Sequence, residues 1–112
     1  MIKKIITLIR FARVAPMGDV GTEPTPPIGL AYLSAMCKDI ENVKILGIDA
    51  SGRNLNKFFE IPQYKMRGNG LTVEEVIESA DPNTHIFGVT AMFSHEWLYV
   101  RDCIKSIREI FR

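Results

Sequence analysis

A chain of 112 residues with 46% hydrophobic and 24% charged side chains has the make-up of one ordinary globular domain, which excludes disordered, collagen-like and membrane-spanning classes. Its formal net charge is +1 and its Lys and Arg residues are dispersed, so neither nucleic acid nor an anionic membrane finds an electrostatic footprint. Cys37 and Cys103 have no partner at metal-ligand spacing and no secretory context, which points to core thiols in a reducing cytoplasm.

Ile5, Ile6, Leu8 and Ile9, broken only by Thr7, read as a strand covered on both faces. Arg10 and Arg13 interrupt that run before any small-residue cleavage site, which favours a strand over a signal peptide. From Phe11 to Thr25 the chain holds Pro16, Gly18, Gly21 and Pro24 without periodicity, the pattern of a long loop leaving the strand's carboxyl end. Thr25-Pro26-Pro27 reads as a helix start, with Thr25 as cap and proline where no amide is needed. Ile28, Leu30, Ala31, Tyr32, Leu33, Ala35, Met36 and Cys37 then cover nearly all sides of that helix, so it needs a neighbour besides the sheet.

Val43, Ile45, Leu46 and Ile48 predict a second strand ending at Asp49. Residues 50–70 read as a second carboxyl-end loop, anchored by Phe58-Phe59. Thr72 and Glu75 form a capping box that opens a helix with Val73, Val76, Ile77 and Ala80 on one face. After Pro82, the run from His85 to Thr90 predicts a third strand, apolar enough for the sheet centre. Ser94 is the expected cap of a last helix whose stripe is Trp97, Val100, Ile104, Ile107 and Phe111.

The order is βαβαβα over a single domain, residues 1–112, which predicts a Rossmann-like or flavodoxin-like α/β fold with a parallel sheet and right-handed crossovers. A central third strand would lack a neighbour, and doubly wound sheets commonly have five or six strands. The expectation is therefore an incomplete doubly wound domain that continues or pairs with another polypeptide; a compact three-stranded domain is the alternative. No G-x-G-x-x-G or G-x-x-x-x-G-K-[ST] loop follows a strand, no acidic receiver pocket surrounds the first strand's end, and no Cys-His or Ser-His pair can be assembled.

Pro26-Pro27-Ile28-Gly29-Leu30-Ala31-Tyr32-Leu33, then Asp49, then Gly70-Leu71-Thr72 with Glu74-Glu75-Val76, then Gly88-Val89-Thr90-Ala91-Met92-Phe93-Ser94 together resemble the N-terminal cobalamin-binding domain of radical S-adenosylmethionine proteins. The resemblance covers nearly the whole chain from the first strand onward. It implies a corrinoid over the carboxyl ends of the strands, with Thr25, Pro27, Gly29, Asp49, Thr90, Met92, Phe93 and Ser94 as the cofactor-binding candidates. Helix starts at Thr25 and Ser94 would direct amide dipoles toward the corrinoid, or cap their helices only. Thr90 would bond the nucleotide tail, or be a plain strand-end hydroxyl. Met92 and Phe93 would wall the ring, or belong to the core.

The wider fold takes its lower cobalt ligand from D-x-H-x-x-G, and Asp19 has no such histidine after it. The expected corrinoid is thus base-off with no protein histidine ligand, and His95 is not taken as one. Complete family members continue into a barrel carrying C-x-x-x-C-x-x-C, which would hold an iron–sulfur cluster and S-adenosylmethionine; two cysteines cannot do this. The chain is expected to hold no catalytic residue and no metal ligand of its own, and to serve a barrel supplied in cis or trans in a methyltransferase-like or rearranging parent enzyme. The alternatives are a corrinoid-free docking or substrate-covering module and a small nucleotide or flavin binder.

Overall fold

The structure, a computed structural model, describes residues 4–17, 27–91 and 94–111. It is an α/β fold with a parallel three-stranded sheet and a second, antiparallel one. The parallel sheet has the order β3-β1-β6, with β1 (Lys4–Arg10) between β3 (Val43–Asp49) and β6 (Ile86–Val89). Leu8 stands opposite Gly47 and Gly88, and Arg10 opposite Asp49. Alternation along β1 sends Thr7 and Ile9 to one face and Ile6, Leu8 and Arg10 to the other.

The first face carries the core. Ile9 and Ile48 pack with Val76 and Ala80, at the inner side and end of α3 (Val73–Ser79), and with Val100, Cys103 and Ile107 of α4 (Trp97–Ile110). The chain passes from β1 to β3 through α1 (Ile28–Cys37), then back across β1 to β6 through α3. Right-handed crossovers in these opposite directions put α1 and α3 on opposite faces, and α1 accordingly touches β1 and β3.

Among the described residues β1 holds the middle and β6 pairs with β1 alone, so the third predicted strand has no second neighbour, as expected of a strand apolar enough for a sheet centre. Phe87 and Val89 pack toward α4, with the Phe87 and Phe111 rings edge to face at 4.8 Å, while Ile86 is 56% exposed. The predicted span still holds by hydrogen bonding, since the His85 and Thr90 amides donate to the Ile5 and Ile9 carbonyls at 2.8 and 3.1 Å.

Both predicted loops contain strands. β2 (Arg13–Pro16), β4 (Phe58–Ile61) and β5 (Met66–Asn69) form the antiparallel sheet, in the order β2-β5-β4. β4 and β5 make a hairpin through a 3₁₀ turn, Pro62–Tyr64, closed by Lys65 in the left-handed region at φ 53°. Phe59 lies across Gly68, where a Cβ would come within 2.3 Å of its ring. Phe59 also packs on the core beside Tyr99, at 6.0 Å between centroids, whereas Phe58 is exposed beneath the Arg67 guanidinium. Only half of the predicted Phe pair is therefore an anchor. A single helical turn, α2 (Ala50–Arg53), follows β3.

Helix starts divide the same way. The Thr72–Glu75 capping box of α3 forms in both directions, and Lys57 bonds the same Glu75 carboxylate, which holds its pKa below the ordinary value. α1 begins at Ile28 with Pro27 in the cap position and no side-chain cap; Thr25 lies outside the described residues. α4 begins after a 3₁₀ turn, Ser94–Glu96, and its cap position is Glu96. Ser94 therefore does not cap α4, because the extra turn sets its hydroxyl too early. Trp97 is 48% exposed and is not core: the buried set is Tyr99, Val100, Cys103 and Ile107, a face onto which Trp97 does not project. Among the described residues no helix is long and apolar enough to cross a membrane.

Candidate functional site

Ligands of open parallel sheets sit beyond the carboxyl ends of the strands, where successive crossovers diverge. Here the divergence lies between β1 and β6, because the connection from β1 runs toward β3 while β6 receives the chain from across the sheet. Residues 10–13 leave one side of that gap and Thr90 leaves the other.

Arg10 and Asp49 face each other in register at this edge. The guanidinium donates from Nε to Oδ1 and from Nη2 to Oδ2, each at 2.9 Å, a bidentate charge-assisted pair. The two side chains are about one-fifth exposed. Gly52 makes room for the carboxylate, since a Cβ there would lie 2.2 Å from Asp49 Oδ2.

A buried network ties α2 and the chain after it to the antiparallel sheet. The Ser51 hydroxyl accepts the Arg13 amide at 2.9 Å and donates to the Asn69 carbonyl at 3.1 Å. The Asn69 side chain donates to the Leu55 and Lys57 carbonyls at 2.9 and 2.8 Å and accepts from Arg13 Nη2. Gly70 follows at φ 128°, with its amide on the Lys57 carbonyl at 2.9 Å. Arg13 Nε is buried with no hydrogen-bond partner among the described residues, a donor in need of an acceptor.

The predicted site residues fall as follows. Asp49 ends β3 and Thr90 directly follows β6, on the two sides of β1, with Asp49 committed to Arg10 and Thr90 half-buried. Ser94 is exposed, on a turn that packs against β2. Pro27 and Gly29 lie at the start of α1, and a Cβ on Gly29 would meet nothing within 4 Å. Thr25, Met92 and Phe93 lie outside the described residues. The residues that sequence reasoning missed are Arg10, Arg13, Ser51 and Asn69. Arg10 carried a faint signal as a charge closing an apolar strand; Ser51 and Asn69 carried none.

A separate cleft of about 270 Å³ is lined by residues that include Phe59, Ile61, Thr72, Val73, Glu74 and Tyr99. Among the described residues no group of three His, Cys, Asp or Glu side chains is placed to hold a metal ion. The two thiols differ. Burial pushes the Cys103 thiol up to about 12, while Cys37 is only partly buried and so is less of a core thiol than expected. Because the thiolate is the reactive form, a thiol reagent near pH 8 should modify Cys37 alone in the folded chain and both cysteines in denaturant. Rapid modification of both in the folded chain would contradict the core placement of Cys103. Compared with protein-family models, curated proteins and solved structures, the chain gives no match.

Proposed function

We propose that the chain is a corrinoid-binding module of the radical S-adenosylmethionine type, holding cobalamin over the carboxyl ends of its parallel strands. The observation that carries the reading is the strand order β3-β1-β6. That order is compatible with the first three strands of a flavodoxin-like sheet, in which a ligand gap would lie between β1 and β6, next to Gly88, Val89 and Thr90 of the segment that carries the resemblance. Thr90 and Ser94 would offer hydroxyls to the nucleotide side of the ligand. The orphan Arg13 Nε fits an amide carbonyl or phosphate oxygen, groups in which a corrinoid is rich. Pro27 and Gly29 would form the rim, Gly29 leaving space for a planar group. The Arg10–Asp49 pair would fix the floor rather than touch cobalt.

A bound corrinoid supplies a cobalt that carries a methyl group. The iron–sulfur cluster and S-adenosylmethionine belong to a separate barrel in the proposed parent, a methyl-transferring or rearranging enzyme. A corrinoid-free docking module is the second reading, favoured by the packing of β2 against the Ser94–Glu96 turn, which narrows the same gap.

Absorbance titration of the folded chain with hydroxocobalamin and methylcobalamin separates the two. The corrinoid reading predicts saturable binding with a base-off spectrum. An unchanged spectrum with a demonstrably folded chain would leave the docking reading.

A further inference from the structure

α1 presents an apolar surface that no described residue covers. Leu30 is buried toward the sheet, and at 3.6 residues per turn the side opposite Leu30 consists of Ile28, Tyr32, Ala35 and Met36. The three large residues are 61%, 69% and 79% exposed. Leu33 on the flank is more than half exposed, as is Ile86 on the same side of the sheet. Together the four large α1 side chains present on the order of 500 Å², toward the upper end of the roughly 300–600 Å² of the largest patch on a typical monomer and more than half of the ~800 Å² per partner of a standard interface. No residue from Ile28 to Cys37 carries a charge.

We propose that this face is the contact of a two-fold homodimer in which α1 packs against α1 of a second copy. A surface without charge meets its own copy without like-charge repulsion and leaves no ion unpaired, which a self-complementary contact requires. The small Gly29 and Ala35, both exposed between the large residues, allow large side chains of one helix to seat over small ones of the other. The area supplied by one chain makes up most of one half of such an interface.

Sedimentation equilibrium of the full chain, without cofactor, tests the dimer independently of corrinoid binding. The expected result is a monomer–dimer equilibrium that persists at high salt. Tyr32→Glu and Met36→Glu should each weaken it at least tenfold, with far-UV circular dichroism and thermal transition measured in the monomer range unchanged, since both side chains are exposed. A chain that stays monomeric at every concentration, a dimer dissolved by salt, or a dimer indifferent to both substitutions would overturn the proposal.

Discussion

Gly70→Ala should lower stability by roughly 3–5 kcal/mol, from backbone strain plus steric overlap. Gly70 sits at φ 128°, where L side chains are strained, and an added Cβ would lie 2.3 Å from the Ala50 carbonyl oxygen and 2.7 Å from Ser51 Cα. Neither neighbour can give way cheaply. The Ala50 carbonyl accepts the Leu71 amide at 2.9 Å, and Ser51 is fully buried in the network tying α2 to the antiparallel sheet. A loss of this size is a large share of the ~5–15 kcal/mol that holds a domain together and should depress the midpoint of thermal unfolding by on the order of 15 °C. Gly29→Ala is the matched control. It places a Cβ in open space on a helix and should stabilise by about 0.5–1 kcal/mol. Equal effects of the two substitutions would show that the approach of residue 70 to α2 is misplaced.

Asn69→Leu should cost roughly 2–4 kcal/mol, because leucine keeps the volume but leaves buried polar groups unpaired. The Asn69 side chain is the common partner of Arg13 Nη2 and of the Leu55 and Lys57 carbonyls. The Lys57 carbonyl keeps the Gly70 amide, so the loss falls mainly on Arg13 and Leu55. Ser51→Ala should cost about 1–2 kcal/mol by removing the bridge between the Arg13 amide and the Asn69 carbonyl. The double variant should lose less than the sum of the single losses, since both residues serve one network. Urea midpoints read all three variants; strict additivity would show that the network is not a unit.

The contrast between these residues and the readable ones shows what sequence patterns convey. β1 and β3 were legible because a parallel strand covered on both faces leaves a long apolar run, and α3 because its capping box is a local reciprocal bond. β2, β4 and β5 were not. Each has four residues, Pro16 and Gly68 interrupt their patterns, and β2 finds β5 only through distant pairing, so no local periodicity could mark them. Ser94 failed as a cap because a 3₁₀ turn intervenes, and local residue preferences do not foretell its length. At the candidate site, Asp49 and Thr90 were legible as strand ends. The partners that define their surroundings, Arg10 above all, became visible only once β1 and β3 were set in register.

The placement of a ligand at the carboxyl ends of β1 and β6 is tested most directly by amide hydrogen exchange of the folded chain with and without excess hydroxocobalamin. The account predicts slowed exchange confined to residues 10–13, Thr90, Ala91 and the Ser94–Glu96 turn, with little change at the opposite end of the sheet around Asn42 and Thr84. Exchange unchanged throughout, or slowed instead at that opposite end, would contradict it.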